Sequence, residues 1–449
     1  MIPLRLKEIS AVLGAACGED KQVLNICTDT RKITQGSLFI ALVGERFDGH
    51  DFVQAAFEKG AAAAVCSKPV DTEGEVLLVE NTGTALLEIA AYYRSLFSIP
   101  FVGITGSVGK TTTKEMVYAV LSEKYNTLKN EGNLNNEIGL PTTVFRLDSD
   151  YEAAILEMGM SAFGEISRLA KVGQPNAGII TKIGVSHIEH LGSREGILKA
   201  KLEILDGLKP NAPLIVNGDD DLLSTVALDD RRVITFGIEN ENCDYRAVGI
   251  SQSGYNTCFT VVYEDGEQSV TIPTVGTHNV YNALSAFAVG LYLGVSPEKA
   301  ALGLSKYVTS GMRQNVREVN GITVIEDCYN ASPDSVRAAT EVLSTMKAGK
   351  KAFVFGDMLE LGEISESAHR EVGALVASKS IDRFYTYGEM AALAAETAEK
   401  SGIGFVKAFD DKTALAAQLR ADLNEGDAVL FKASRGMKLE EVIRIFSEG

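Results

Sequence analysis

Gly103-Ile104-Thr105-Gly106-Ser107-Val108-Gly109-Lys110-Thr111-Thr112-Thr113 carries the most specific chemistry in the chain. Glycines let such a loop curl until successive backbone N–H groups face phosphate oxygens, and a helix beginning near Lys110 adds its positive end. Lys110 would reach the β- and γ-phosphates, and the Thr111 hydroxyl would ligate Mg²⁺. The strict pattern asks for glycine at 104, whereas here Ile104 stands between Gly103 and Gly106. That departure narrows the type of phosphate loop. A plain glycine-rich turn is the competing interpretation, and Gly109-Lys110-Thr111 after an apolar strand argues against it.

A phosphate loop alone does not separate a ligase or kinase from a motor or switch. Glu157 follows an apolar stretch at 153–156, where a parallel sheet presents side chains beside the loop. A carboxylate there could hold a Mg²⁺ between phosphates, or merely cap the next helix. Val185-Ser186-His187-Ile188-Glu189-His190-Leu191 looks ligand-like, with His187 favoured over His190. Mg²⁺ rarely takes imidazole, so spacing by itself is a weak warrant there. Asn217-Gly218-Asp219-Asp220-Asp221 also looks metal-like, but at a strand end it reads better as a turn and helix cap.

Short apolar runs alternating with longer amphipathic segments predict α/β layers that would carry these groups on strand ends. Strands are expected at 38–42, 61–66, 101–104, 152–156, 177–181, 213–216, 233–236, 322–325, 351–355, 383–387 and 428–431. Helices are expected near 51–59, over 83–97 and over 279–293. Alternation across 245–272, with a Glu264-Asp265-Gly266-Glu267 turn, predicts antiparallel strands appended to a parallel sheet. Pro100 ends a helix just ahead of the phosphate loop. The expected domains are therefore 1–98, 99–310 and 311–449.

The chain has 449 residues, which is a soft prior for about three domains. With 45 % hydrophobic and 23 % charged residues it has the make-up of a globular protein and not of a disordered or collagen-like one. The formal charge of −17 argues against a nucleic-acid-coating surface. Six cysteines without CxxC or zinc spacing read as buried reduced thiols of a reducing compartment. No signal-like start and no membrane-length apolar run are present in the sequence, so a cytoplasmic location is expected.

Taken together, these residues resemble the Mur ligases, the ATP-dependent amide-forming enzymes of peptidoglycan synthesis. The departure at Ile104 is itself the family form, and the resemblance runs through nearly the whole chain. Four segments resemble the branch that adds D-alanyl-D-alanine to a UDP-N-acetylmuramoyl tripeptide. They are Gly132-Asn133-Leu134-Asn135-Asn136-Glu137-Ile138-Gly139, Asp327-Cys328-Tyr329-Asn330-Ala331-Ser332-Pro333, Gly356-Asp357-Met358-Leu359-Glu360-Leu361-Gly362 and Lys432-Ala433-Ser434-Arg435-Gly436-Met437-Lys438. The Asp-Asn-Pro-Arg signature expected of the sister ligase that adds the third residue is not found.

The resemblance implies a three-domain α/β architecture with a central P-loop ATPase domain and a Rossmann-like C-terminal domain. It makes Gly106, Ser107, Val108, Gly109, Lys110, Thr111 and Thr112 the phosphate cradle, with Asn282, Arg313 and Asp327 as further ATP contacts. Lys110, Glu157, His187 and Lys201 become the catalytic set. Thr111 and Glu157 would hold one Mg²⁺, and His187 with a carbamylated Lys201 a second. Lys199, on another helix face, is excluded. Thr30, Arg31, Asp48 and His50 lie in segments resembling the UDP-sugar site. Asn133, Asn135, Asn136, Asn330, Ser434 and Arg435 complete the implied substrate contacts. Implied partners are the UDP-muramoyl tripeptide and D-Ala-D-Ala, with no nucleic acid, and a monomer is expected.

The implied reaction activates a carboxylate as an acyl phosphate before an amine attacks it. A folylpolyglutamate-synthetase-like ligase is the nearest rival, but residues ahead of Pro100 suggest a separate UDP-binding domain. A nucleotide-dependent switch would hydrolyse ATP without an amine substrate, and a non-catalytic binding protein would not need the catalytic set.

Overall fold

The computed structural model describes residues 1–309 and 311–448. Besides a two-stranded pairing of Leu4–Arg5 with Gln22–Val23, the described residues form three larger sheets whose buried strands explain the apolar runs of the sequence. The first is a four-stranded parallel sheet in the order Asn25–Cys27, Ser37–Ile40, Ala61–Cys66, Glu75–Leu78. The second has nine strands, with Phe101–Thr105 between Ala177–Ile180 and Ala153–Glu157. All five residues of Phe101–Thr105 are buried, as a central parallel strand requires. Tyr245–Ser253, Asn256–Tyr263 and Gly266–Ile272 extend this sheet as antiparallel neighbours. The first of them, however, joins Val233–Gly237 in parallel.

The third sheet has six strands in the order Asn315–Val319, Ile322–Glu326, Ala428–Lys432, Lys351–Gly356, Arg383–Tyr387, Val406–Phe409. Asn315–Val319, a strand not expected from the sequence, pairs antiparallel with Ile322–Glu326. The helix expected near 51–59 is a 3₁₀ turn over Gly49–Phe52 followed by Val53–Glu58.

A continuous apolar core passes through Leu42, Tyr93, Phe101, Leu140 and Met158, joining the first sheet's layer to the second's. The helix Thr82–Ser95 rivets the two. Its Tyr93 hydroxyl donates to Leu147 O at 2.6 Å, and Arg94, buried over the Phe101 ring, donates to Gly173 O at 2.7 Å. Among the described residues no helix is long and apolar enough to cross a membrane. All six thiols are free; Cys27, Cys66 and Cys328 are buried, while Cys17, Cys243 and Cys258 are half-buried.

Candidate active site

The register of the central strands sets the site. Ile104 lies opposite Glu157 and Thr105 opposite Ile180, so the phosphate loop leaves the carboxyl edge between two neighbouring strand ends. Gly106 adopts φ +150°, and a Cβ there would fall 1.9 Å from Thr181 Oγ1. Thr181 uses that closeness: its hydroxyl donates to Val108 O at 2.6 Å, while Ser107 N donates to Lys182 O at 2.8 Å. The helix Lys110–Leu121 then starts from Gly109, pointing its N-terminus into the loop. Lys110 Nζ donates to Gly106 O at 2.7 Å. Burial pushes its ammonium down from the ordinary lysine range, Glu157 opposes that shift, and the Arg313 charge adds to it.

Glu157 is buried and held on both oxygens. Thr111 Oγ1 donates to Oε2 at 2.9 Å and Asn135 Nδ2 donates to Oε1 at 2.9 Å. Asn130 clamps its backbone, accepting from Glu157 N at 2.9 Å and donating to Glu157 O at 3.1 Å. A group not anticipated from sequence completes this arrangement. Lys114, also buried, lies 3.6 Å from Glu157 Oε2 and 3.4 Å from Glu115 Oε1, and Glu115 in turn pairs with Lys129. Its signal was available: Lys114 stands three residues after Thr111, on the same helix face.

His187 occupies a left-handed turn at φ +62° and brings Nδ1 within 2.9 Å of Glu360 Oε2 from the third section. Burial holds its imidazole below the ordinary histidine range, with Lys110 adding to the effect. Glu189 and His190 are exposed. On the helix Arg194–Leu202, Lys201 is buried and Lys199 is exposed near the Phe163 ring. Burial, with Lys110 nearby, pushes the Lys201 amine well below the usual lysine value.

The acidic run at 217–221 serves the backbone. Asp219 accepts from Ile238 N, Glu239 N and Asn240 N at 2.6, 2.9 and 2.7 Å. Asp220 accepts from Ile183 N, Leu222 N and Leu223 N, and Asp221 pairs with Arg194. Among the described residues no cluster of three or more His, Cys, Asp or Glu side chains is arranged to hold a metal.

A cavity of about 670 Å³ opens between the phosphate loop and the third section. Ser107, Val108, Gly109, Lys110, Thr112, Glu157 and His187 line one side, with Asn133, Asn135, Asn136 and Asn282. Arg313, Asp327 and Asn330 line the other. Thr111 stands immediately behind this lining, through its bond to Glu157. Arg313 lies over the Tyr329 ring at 4.2 Å. Asp327 Oδ2 pairs with buried Lys432 Nζ at 2.9 Å, and the same ammonium donates to Asn330 O at 2.9 Å. The parallel register of Glu326 opposite Phe431 places Asp327 and Lys432 side by side at the strand ends.

Six expected substrate residues lie outside this cavity lining. Ser434 is buried and accepts from Leu359 N at 2.9 Å, while the exposed Arg435 pairs with Glu440 at 2.6 Å. In the first section, Thr30 and Arg31 form a 3₁₀ turn capped by Asp29, and Arg31 pairs with that carboxylate at 2.8 Å. His50 is buried, with Nδ1 on Asp48 and Nε2 accepting from Ser67 N at 2.9 Å. Lys68 and His50 hold the Asp48 carboxyl well below the usual carboxylate range.

Three family models match consecutive stretches: the Mur ligase family, catalytic domain over 22–97, the Mur ligase middle domain over 104–290, and the Mur ligase, glutamate ligase domain over 312–435. The chain is 45 % identical over 435 residues to the UDP-N-acetylmuramoyl-tripeptide–D-alanyl-D-alanine ligase of Bacillus subtilis (strain 168), covering 95 % of this chain and 93 % of that one. A crystal structure of MurF from Acinetobacter baumannii matches with TM-score 0.93 and 32 % identity over 100 % of this chain and 99 % of that chain. MurF ligase from Thermotoga maritima in complex with ADP matches with TM-score 0.86 and 32 % identity over 94 % and 97 %. The chain belongs to the Mur ligase family.

Proposed function

We propose that the protein is an ATP-dependent ligase of peptidoglycan synthesis that joins D-alanyl-D-alanine to UDP-N-acetylmuramoyl-tripeptide, releasing ADP and phosphate. The observation that carries this reading is one cavity with Lys110 and Glu157, itself bonded by Thr111 from behind, on one wall and Arg313 with the Asp327–Lys432 pair on the other. Residues 1–98 would bind the UDP-sugar, 99–310 would activate with ATP, and 311–449 would present the dipeptide. The enzyme would work as a cytoplasmic monomer.

Gly106, Ser107, Val108, Gly109, Thr112 and Lys110 would cradle the phosphates, and Asn282, Arg313 and Asp327 would hold the rest of the nucleotide. The Thr111 hydroxyl and Glu157 carboxylate are hard oxygens that suit Mg²⁺. His187 and Lys201 would suit a second Mg²⁺ only after the Lys201 amine becomes a carbamate, and its depressed basicity favours that conversion. Bound Mg²⁺ supplies charge neutralisation at the β- and γ-phosphates.

The tripeptide carboxylate attacks the γ-phosphorus, the bond to the β-phosphate oxygen breaks, and an acyl phosphate and ADP result. Lys110 and Arg313 lower the repulsion between the two anions. The dipeptide amine then attacks the acyl carbon, loses a proton, and the tetrahedral intermediate expels phosphate. Docking of the third section onto the phosphate loop aligns the reactants and excludes water. Asn133, Asn135, Asn136 and Asn330 would orient the acyl group from the cavity wall. Thr30, Arg31, Asp48 and His50 would shape the UDP-sugar site, His50 by holding its loop. Arg435 would meet the dipeptide carboxylate, with Ser434 bracing the adjoining loop.

Incubation with ATP and both substrates, followed by mass spectrometry, tests the proposal. The expected product carries the dipeptide minus one water. ATP turnover indifferent to the amine would favour a switch instead.

A further inference from the structure

Gln314 is the last residue before the strand Asn315–Val319, in the segment that leads from the phosphate-loop section into the third. It is not glycine, yet it holds φ +50°. Such a conformation persists where surrounding contacts over-determine it. Here they do. Asn279 Nδ2 donates to Val275 O at 2.8 Å, which fixes that atom as the amide nitrogen, and it also donates to Gln314 Oε1 at 3.0 Å. The other end of the Gln314 amide is therefore a donor, and it meets His278 Nε2 at 2.9 Å. His278 must accept through Nε2 and carry its proton on Nδ1. Burial keeps this imidazole neutral against the pull of Asp327, with Lys432 and Lys182 on the side of burial.

The bonds continue inward. Asn282 Nδ2 donates to Asn279 Oδ1 at 3.3 Å, and Thr113 Oγ1 donates to Asn282 Oδ1 at 3.1 Å. An unbroken polar chain thus runs from the phosphate-loop helix through the helix Thr277–Tyr292 to Gln314. Its neighbour Arg313 lines the central cavity over Tyr329, close enough to Lys110 to be felt electrostatically.

We infer that Gln314 is a positioning residue for nucleotide binding, its amide tying the connecting segment to His278 and Asn279 so that Arg313 faces the phosphate loop. This rests on the nucleotide site proposed above. Gln314→Gly keeps the left-handed backbone without strain and removes the amide. Gln314→Asn also tolerates that backbone but is one methylene too short to reach both partners.

The test is calorimetric titration of the full chain with ADP and Mg²⁺, alongside thermal unfolding. Both variants should weaken ADP binding about tenfold, the scale of losing two hydrogen bonds, with the unfolding transition retained. In an Arg313→Ala background the same substitutions should change affinity by less than about twofold, because the residues act as one unit. Affinity within about twofold of the unsubstituted protein, or a loss that simply adds to that of Arg313→Ala, overturns the inference. Failure of the unsubstituted protein to bind ADP would overturn the nucleotide site itself, and this role with it.

Discussion

Thr111 Oγ1 donates to Glu157 Oε2 at 2.9 Å, joining residues 46 positions apart at the mouth of the phosphate loop. The hydroxyl and the carboxylate belong to a helix start and a strand end that the parallel sheet brings together. Glu157 is also the residue on which Asn135, Asn130 and Lys114 converge. The cavity's electrostatics are organised around that one buried anion.

Glu157→Gln should therefore lower ATP-dependent phosphate release by at least about 10²-fold, the scale of losing one preorganised electrostatic group. Thr111→Val should lower it in the same direction. Steady-state phosphate assays at saturating substrates check both, and near-normal turnover in either variant would remove the pair from the chemistry.

Lys201→Ala should inactivate the enzyme, and short carboxylic acids should restore part of the rate by replacing the carbamate. Carbamate formation needs the neutral amine, which burial makes available at lower pH than for a free lysine. A carbamate resonance on incubation with ¹³C-bicarbonate should appear in the parent protein and vanish in Lys201→Ala. A carbamate signal unchanged in the variant would place the modification elsewhere.

Much of the site is contiguous and was legible for that reason. Residues 103–113 form a single loop and helix start, so spacing alone encodes their geometry. Lys201 separates from Lys199 by burial, as their different helix faces require. The tertiary pairs were not legible: no spacing announces that Lys432 meets Asp327 or that Gln314 meets His278. Edge strands such as Thr127–Lys129 and Val406–Phe409 escaped because they are short, and Val406–Phe409 buries no residue fully. Ser434 lies in a distinctive motif, but only the fold reveals that its hydroxyl faces Leu359 N.

Lys432→Met should destabilise the third section by about 3–5 kcal/mol, because it strands the Asp327 carboxylate beside an apolar side chain. The same change should raise KM for ATP. Denaturant unfolding and steady-state kinetics measure the two effects; an unchanged unfolding midpoint would show that the buried pair contributes nothing to stability.

His369 supplies a pH dependence. Its Nε2 accepts from Met358 N at 2.9 Å and its Nδ1 donates to Ser365 O at 2.7 Å, so the folded ring is neutral. Burial lowers its pKa below the value of about 6.5 expected in the unfolded chain. Below that pH the unfolded state binds more protons, so stability should fall as pH drops from about 6.5 towards the folded pKa. His369→Gln should flatten that slope in denaturation measurements between about pH 7.5 and pH 5.5. An equal slope in the variant would assign the dependence to other groups.

In the proposed reaction ATP activates one carboxylate for attack by one amine. Phosphate release should be measured with ATP and UDP-N-acetylmuramoyl-tripeptide, with and without D-alanyl-D-alanine. Sustained release that requires both the tripeptide and the dipeptide is the predicted result. Release at the same rate without the dipeptide, or without either substrate, would contradict it.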